Sequence, residues 1–351
     1  WGSLQLAPPG MVASVLFPDG HIWTGTSGVA DLVTGRLLTP DTPFPIGSIS
    51  KTFVAAEILS LVDEGRLALD DAATLRLPGV LVGDRPIDPA ITIQQLLDHT
   101  SGLRDFLLNA KLNRAILADH TAVWTPVTAL AFAGSPIAKP GVGYHYANTN
   151  FVLLGMIAEV MTGRPLAAEL RDRFFDPLRL RSASYQGIED PMMELPAAYA
   201  YATNQLDETP VALSDESAIR PFTSVITAAG AAGSVAASAP DLVRWAHALY
   251  GGEVLSAAQT AAMIADAATT AGLRPGHRYG LGVQVGSIEG LVSYGHSGRL
   301  IGTRSVVRWF PSLGIAIAVV TNQSRFDPDL VLRALLNVVA PDAGGSGQRE
   351  R

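Results

Sequence analysis

The sequence predicts a mixed α/β fold of the α+β type, in which strands from both ends of the chain form one antiparallel sheet flanked by helices. Three observations predict it: β-rich runs flank a turn near the N-terminus, helical periods fill the middle, and strand-like runs return near the C-terminus. We expect residues 1–65 and 225–340 to form the sheet domain, residues 66–224 an inserted, mostly helical domain, and residues 341–351 a disordered tail.

The composition is that of a globular protein with a substantial core. The chain has 351 residues, of which 48% are hydrophobic, which is enough for one large domain or two. Its net charge of −7 argues against a nucleic-acid or anionic-membrane partner, because both require basic patches. Cysteine is absent, which excludes disulfides and thiolate metal sites. The longest strongly apolar run, residues 314–320, is too short to span a bilayer.

The first predicted elements are a hairpin and a long helix. Residues 11–17 and 21–30 are β-rich, and the Pro-Asp-Gly sequence between them is a turn signal. Spaced apolar residues after Ser48 predict a helix that runs to about Gly65.

Helices are predicted in the middle of the chain and strands near its end. The helical periods cover residues 93–97, 152–161 and 166–175, and Ser238 is expected to cap a helix over 242–249. The strand-like runs are residues 279–285, 291–294, 303–310 and 315–321, and a last helix is predicted at about 328–339.

The most informative stretch is the start of the long helix, which carries Ser48 and Lys51. Residues three apart at a helix start lie on the same side, so this hydroxyl and this amine are expected to face each other. A lysine amine can take the serine proton, and so activate the nucleophile, if its surroundings lower its pKa. Taken alone, the spacing favours an ordinary helix start with Ser48 as its cap and a solvated Lys51. Only three lysines occur in the chain, and one of them is in this motif. This argues against the interpretation of Lys51 as an ordinary solvent-exposed lysine.

Three further motifs follow in order: His-Thr-Ser-Gly at 99–102, Tyr-Ala-Asn at 146–148 and His-Ser-Gly at 296–298. Together with Ser48-x-x-Lys51, they resemble the serine β-lactamase and penicillin-binding-protein superfamily. Within it, the chain looks most like the branch of class C β-lactamases, D-alanyl-D-alanine carboxypeptidases, D-aminopeptidases and related esterases. The resemblance covers about residues 10–340 and implies the β-lactamase/transpeptidase-like form of the predicted fold, with the site in the cleft between the two domains.

The resemblance also implies a role for each catalytic position. Ser48 would be the acyl-forming nucleophile and Lys51 its proton acceptor or relay. Tyr146 would move protons to the leaving group and activate the deacylating water, and whether it or Lys51 is the general base stays open. The backbone N–H groups of Ser48 and Arg299 would form the oxyanion hole. No cofactor or metal is implied.

The substrate-binding positions follow from the same resemblance. Asn148 would hold the substrate's amide, and the strand with His296, Ser297 and Gly298 would line the site, with His296 where many relatives have lysine. His99 and Ser101 are expected to support the site without reacting.

Two departures from the family pattern concern recognition of a substrate carboxylate. Gln284 stands where a related carboxypeptidase has an arginine for the terminal carboxylate of its substrate. Conversely, Arg299 offers a guanidinium where a small hydroxyl residue is expected. We therefore expect carboxylate recognition to have moved or to have been lost.

Other site types fit the sequence less well. Residues 295–298 partly imitate the Gly-x-Ser-x-Gly elbow of α/β-hydrolases, but no histidine follows Ser297, as that order of residues requires. The seven histidines are scattered and form no His-Glu-x-x-His motif, which argues against a catalytic metal. Taken singly, Tyr146 is better explained as an interface aromatic and Asn148 as a turn residue, because both residue types are common in those settings.

The sequence thus favours a serine hydrolase that acts on a small molecule or short peptide, with D,D-carboxypeptidase-like activity first. A carboxylic-ester hydrolase, an acyltransferase or peptide cyclase, and a β-lactam-binding sensor without turnover remain alternatives, and the sequence does not predict the oligomeric state. The resemblance implies an extracytoplasmic location, although the residues themselves leave a cytoplasmic one open. Because the chain begins at Trp1, there is room for an export signal upstream.

Overall fold

The computed structural model describes residues 7–200, 211–212, 223–265 and 277–341. Its strands are β1 (Gly10–Leu16), β2 (Ile22–Gly28), β3 (Phe44–Pro45), β4 (Leu81–Val82), β5 (Arg85–Pro86), β6 (Ser184–Tyr185), β7 (Tyr199–Ala200), β8 (Val211–Ala212), β9 (Val235–Ala237), β10 (His277–Tyr279), β11 (Gln284–Ile288), β12 (Leu291–Leu300), β13 (Thr303–Phe310) and β14 (Ile315–Thr321). Its helices are α1 (Ser50–Asp63), α2 (Ile93–Leu97), α3 (Ala110–Ala118), α4 (Pro126–Leu130), α5 (Asn148–Thr162), α6 (Leu166–Leu170), α7 (Thr223–Ala229), α8 (Ala239–Tyr250), α9 (Ala257–Ile264) and α10 (Asp329–Val339). Residues 342–351 of the expected tail lie outside the described residues.

The two ends of the chain meet in one antiparallel sheet, as the sequence predicts. Its described strands run in the order β10-β11-β12-β13-β14-β1-β2, so the N-terminal hairpin pairs with the last strand. The register opposes Met11 to Thr321 and Leu16 to Ala316. This arrangement confirms the predicted α/β fold, because the helical middle of the chain is inserted between paired termini.

Helices cover both faces of this sheet. Helix α8 packs on β1, β13 and β14, and α10 packs on the opposite face against β14. The larger hydrophobic core runs without a break from the α8 face through α1 into α2, α5 and α6, whereas a smaller core lies under α10. The proposed domain boundaries at residues 65 and 225 therefore stay a prediction.

Helix α1 is the central element, because almost every side chain from Ser50 to Leu61 is buried. The Phe53 ring stacks on Trp245 of α8 with centroids 4.0 Å apart, and it meets the edge of Phe175 at 5.5 Å. Aromatic pairs of this kind contribute about 0.5–1.5 kcal/mol beyond the area that they bury. The packing fixes the N-terminal end of α1 relative to the sheet.

Most predicted elements are present, with two corrections. Residues 279–285 do not form one strand, because β10 ends at Tyr279 and the Gly280 N–H donates to the Val283 carbonyl at 2.9 Å, closing a turn before β11. The helix predicted over 166–175 is α-helical only to Leu170 and continues as a π-helical turn over Arg171–Phe175. The strands at 303–310 and 315–321 have the predicted bounds.

Candidate active site

Ser48 lies in the 3₁₀ turn Gly47–Ile49, which leads directly into α1, so it stands where the long helix begins, as the sequence predicts. Gly47 has φ +53°, and a Cβ there would lie 2.8 Å from the backbone nitrogen of Arg299. A Cβ on Gly298 would lie 1.8 Å from the Ile46 carbonyl oxygen. Glycine at both positions therefore lets β12 approach the nucleophile closely, and it brings the Arg299 backbone N–H beside Ser48.

Hydrogen bonds fix the residues just before Ser48. The Ser305 hydroxyl of β13 donates to the Ile46 carbonyl at 2.8 Å, and the Thr303 hydroxyl donates to the Pro45 carbonyl at 3.2 Å. The Ile46 N–H donates to the Val235 carbonyl at 3.0 Å. The segment is thus bonded to the main sheet and to β9 at once, so the nucleophile is held on rigid elements.

Two polar groups lie within hydrogen-bond distance of the Ser48 hydroxyl oxygen. Lys51 Nζ lies 3.0 Å from Ser48 Oγ, and the Tyr146 hydroxyl donates to the same oxygen at 2.8 Å. Lys51 is completely buried, and this burial lowers its pKa to about 7, against the opposing charge of Asp105, which raises it. A lysine with this pKa has a large neutral fraction near neutral pH and can accept the serine proton.

Tyr146 stays neutral next to this lysine. Burial raises the pKa of its hydroxyl far above the ordinary value, and the bond to Ser48 only partly offsets that effect. Lys51 Nζ lies 5.0 Å from the centre of the Tyr146 ring, within the range of a cation–π contact. Tyr146 is therefore a hydroxyl that can pass a proton on, and Lys51 is the better base.

Asn148 joins Lys51 to a residue that the sequence did not reveal. Its Oδ1 accepts from Lys51 Nζ at 2.8 Å, and its Nδ2 donates to Asp105 Oδ2 at 2.8 Å. Asp105 follows the His-Thr-Ser-Gly stretch in a loop, where no periodicity marks it and the contact with Asn148 spans 43 residues.

His296 is an uncharged side chain in this site. Its Nδ1 lies 2.6 Å from the Ser297 carbonyl, which can only accept, so Nδ1 carries the proton and Nε2 accepts from the Tyr279 hydroxyl at 2.9 Å. Burial, with a smaller contribution from Lys51, lowers the pKa of His296 to about 3. Tyr279 is thus a second residue that the sequence analysis did not assign to the site.

The family's His-Thr-Ser-Gly stretch holds the start of α5. His99 Nδ1 lies 3.0 Å from Asn150 Nδ2 and accepts from the Ala147 N–H at 3.2 Å, and the Ser101 hydroxyl donates to Asn150 Oδ1 at 2.7 Å. Because Ala147 and Asn150 flank Asn148, these bonds orient the Tyr-Ala-Asn motif toward Ser48.

A cavity of about 320 Å³ opens beside Ser48 and Tyr146. Its other side is formed by strands β10 to β13, on the sheet face that is turned toward the start of α10. We call the arginines on this side the arginine wall: Arg278, Arg299, Arg304 and Arg308. Asp327 and Asp329 also line the cavity, so the described residues contribute four guanidinium groups and two carboxylates to its lining.

A guanidinium lies beside Gln284 although position 284 is not an arginine, because Arg308 reaches it from β13, on the far side of β12. Gln284 and Arg308 both lie opposite Gly295 in the sheet, and Gly295 has no side chain to separate them. Arg308 Nη2 donates to Gln284 Oε1 at 2.7 Å, and this oxygen also accepts from the Ser297 N–H at 3.2 Å. Arg308 is 5% exposed, and its Nε has no hydrogen-bond partner among the described residues. The expectation that carboxylate recognition has moved or been lost stays a prediction, and Arg308 is the candidate residue for the first alternative.

The arginine wall destabilises the folded state through like-charge repulsion and through desolvation of a charge. Arg299 lies directly opposite Arg304 in the β12–β13 register, and like charges in that relation destabilise a sheet. Burial lowers the pKa of Arg308, which reflects the cost of desolvating its charge. An anion in the cavity would relieve both costs.

Two other features bear on the class of site. No group of three or more His, Asp or Glu side chains that could hold a metal ion occurs in residues 7–200, 211–212, 223–265 and 277–341. Within the same ranges no single helix is long and apolar enough to cross a membrane. Helix α5 and the segment Leu166–Phe175 reach that length and composition only together, and they are bent by 81°.

Comparisons with known proteins agree with this site. The family model Beta-lactamase matches residues 5–340. Penicillin-binding protein 4 of Amycolatopsis lactamdurans is 33% identical over 327 residues, which are 90% of this chain and 81% of that protein. Esterase EstB of Burkholderia gladioli is 32% identical over 202 residues, 53% of this chain and 50% of that protein.

A solved structure extends the similarity to the whole fold. The crystal structure of a D-stereospecific amidohydrolase from Streptomyces sp. matches with a TM-score of 0.80 and 30% identity, covering 95% of this chain and 94% of that chain. The match to the family model over most of the sequence confirms the resemblance inferred from the four motifs. This chain therefore belongs to the Beta-lactamase family and is a hydrolase of the superfamily that includes the penicillin-binding proteins.

Proposed function

We propose that this protein is a serine amidohydrolase that forms an acyl-enzyme on Ser48 and cleaves the bond before a D-residue with a free carboxylate, as a D,D-carboxypeptidase does. The observation that carries the proposal is the position of Ser48 Oγ, which lies 3.0 Å from Lys51 Nζ and 2.8 Å from the Tyr146 hydroxyl. A nucleophile placed between a neutral amine and a neutral phenol has both partners that acyl transfer requires.

The chemistry follows from these protonation states. Ser48 Oγ attacks the substrate carbonyl while its proton moves to Lys51 Nζ, and the backbone N–H groups of Ser48 and Arg299 stabilise the oxyanion. Tyr146 gives its proton to the leaving nitrogen as the C–N bond breaks, and Lys51 returns a proton to Tyr146. Water then attacks the ester, loses a proton to the same pair, and releases the acid while Ser48 regains its hydrogen.

The arginine wall supports the choice of substrate. A carboxylate that leaves with the amine would enter the cavity beside Ser48, where guanidinium groups can bind it in bidentate fashion. The D-configuration is supported by the similarity to the D-stereospecific amidohydrolase. A cell-wall peptide of this kind would be met outside the cytoplasm, so we propose an extracytoplasmic location as well.

The test compares two peptides that differ only at the C-terminus: an N-acylated D-Ala-D-Ala acid and its C-terminal amide. We expect release of D-alanine from the acid, with kcat/KM about tenfold or more above that of the amide, since the bidentate contact of a carboxylate with a guanidinium is lost. Turnover of p-nitrophenyl acetate or butyrate without cleavage of either peptide would contradict the proposal.

A carboxylic-ester hydrolase is the second candidate. It is supported by the similarity to Esterase EstB, although the match covers about half of each protein. The same acyl-enzyme chemistry serves an ester, because the alcohol is a better leaving group than an amine. The peptide pair and the two nitrophenyl esters distinguish the two activities in one experiment.

A further inference from the structure

Asp105 does not contact Ser48 or Lys51 directly but is hydrogen-bonded to Asn148, and it is 8% exposed. Its Oδ1 accepts from the Leu107 N–H at 3.0 Å, and its Oδ2 accepts from Asn148 Nδ2 at 2.8 Å. The carboxylate therefore has an N–H donor on each oxygen. One bond caps the short 3₁₀ turn Phe106–Leu108, and the other points at the catalytic centre.

The orientation of Asn148 follows from what its two partners can do. A carboxylate only accepts hydrogen bonds, so the nitrogen of the Asn148 amide must face Asp105 and its oxygen must face Lys51. If the amide turned over, its N–H would point at Lys51 Nζ, and its oxygen would meet the oxygen of Asp105. Asp105 thus permits only one of the two amide orientations.

That orientation decides where the lone pair of Lys51 points. Lys51 Nζ has three neighbours: Asn148 Oδ1 at 2.8 Å, the Ala232 carbonyl at 2.8 Å and Ser48 Oγ at 3.0 Å. A neutral amine has two N–H groups and one lone pair. Because the first two neighbours only accept, they take both N–H groups, and the lone pair is left for the serine proton.

We propose that Asp105 is a positioning residue for the acylation step: it holds the Asn148 amide so that the lone pair of neutral Lys51 faces Ser48. The inference rests on the proposed acyl-enzyme chemistry and goes beyond it, because Asp105 touches neither the substrate nor the reacting atoms. Without a fixed carboxylate, the turned-over amide would donate into the lone pair of Lys51 and occupy it.

Asp105 also has an electrostatic effect that a purely structural residue lacks. The titratable side chains that face Lys51 in the described part of the chain are His99, His296, Tyr146 and Asp105. Burial lowers the pKa of both histidines and raises that of Tyr146, so these three are neutral near pH 7. Burial raises the pKa of Asp105, but the hydrogen bonds from Leu107 and Asn148 and the charge of Lys51 oppose that shift, and as a carboxylate Asp105 raises the pKa of Lys51. Loss of this charge should lower the pKa of Lys51 further.

Asp105→Asn tests the orientation of Asn148 and the pKa of Lys51 in a variant that is expected to fold. Asparagine caps a helical turn as well as aspartate does, so the bond to Leu107 can survive. However, an amide can present either a donor or an acceptor to Asn148, and both orientations of Asn148 become possible. We expect kcat/KM for a nitrophenyl ester to fall about 10- to 100-fold, as misplaced catalytic groups commonly cause. The rising limb of its pH profile should move about 0.5–1 unit toward lower pH.

A matched control is Asp119→Asn, which changes an exposed aspartate that bonds Thr121 in a loop. It should leave both kcat/KM and the pH profile unchanged. Melting temperatures of the three proteins show whether Asp105→Asn is folded.

The pKa of Lys51 can also be measured without any substrate, because the chain contains only three lysines. Selective ¹³Cε-lysine labelling gives three signals, and Lys51→Arg assigns the one of interest. The Lys51 signal should titrate near pH 7 in the wild type and lower in Asp105→Asn.

An unchanged Lys51 titration and an unchanged pH profile in Asp105→Asn would overturn the inference. If D-alanine release fails while the titration still shifts, the choice of substrate is wrong and the role of Asp105 stands.

Discussion

The two sides of Ser48 are built in opposite ways. On the lysine side, Lys51 is completely buried, and desolvation keeps the His296 and Tyr146 side chains uncharged. On the cavity side, the arginine wall gathers four guanidinium groups around about 320 Å³ of open space. Burial therefore sets the protonation states of the groups around Ser48, whereas the sheet face on the other side carries the positive charge that the proposed carboxylate recognition requires.

The largest effect is expected on the lysine side, from Ser48→Ala. This variant removes the nucleophile and leaves Lys51 with its bonds to Asn148 and Ala232, so the fold should persist. Turnover of nitrophenyl esters should fall about 10⁴-fold or more, and intact-protein mass spectrometry should find no acyl adduct. Turnover within about tenfold of the wild type would remove Ser48 as the nucleophile.

A smaller, selective effect is expected on the cavity side, from Arg308→Gln. The change removes the guanidinium behind Gln284, so kcat/KM for the D-Ala-D-Ala acid should fall about 10- to 100-fold while simple esters change little. The measurement is the ratio of kcat/KM for the acid to that for the ester, which cancels any loss of folded protein.

The matched control for this variant is Arg333→Gln, since Arg333 forms a surface ion pair with Glu289 on the outer side of α10. It should leave the ratio unchanged. Equal losses on acid and ester in Arg308→Gln would show that the arginine wall does not select a carboxylate.

The smallest effect is on the free energy of unfolding and comes from Glu57, a buried carboxyl away from the active site. Glu57, on α1, is completely buried with Arg173 Nε 3.2 Å away, and burial raises its pKa to about 7. A carboxyl with a raised pKa in the folded state stabilises the fold below pH 4.5, and this contribution is lost as the pH rises through 7. Between pH 5 and pH 8 the loss should be about 2–3 kcal/mol.

Urea denaturation of the wild type and of Glu57→Gln at pH 5 and pH 8 tests whether the free energy of unfolding falls with rising pH because of Glu57. The amide cannot ionise, so the free energy of unfolding of the variant should change less with pH than that of the wild type. Arg173 keeps its contacts with Glu64 and Glu169 in the variant. If wild type and variant lose stability in parallel, Glu57 ionises normally, and burial alone does not shift pKa values in this protein.

The sequence was most informative where local pattern decides structure. The N-terminal hairpin and the strands at 303–310 and 315–321 follow from β-rich runs bounded by turn residues, and the structure confirms them. Motif order placed Ser48, Lys51 and Tyr146 in one site, and the hydrogen bonds at Ser48 bring these three together.

The residues that the sequence missed depend on contacts between distant segments. Asp105 meets Asn148 across 43 positions, and Tyr279, the last residue of β10, meets His296 on β12. Arg308 reaches Gln284 because the sheet register places both opposite Gly295. Neither strand register nor the packing of a loop against α5 can be read from local periodicity.

The most direct test of the account is the pH dependence of Ser48 acylation by p-nitrophenyl acetate, followed as the pre-steady-state burst. If burial makes Lys51 the base, the acylation rate should rise about tenfold per pH unit at low pH and level off near pH 7, the pKa of Lys51. A rate that is constant from pH 5 to pH 9, or that rises only near the ordinary lysine pKa of about 10.4, would contradict the account.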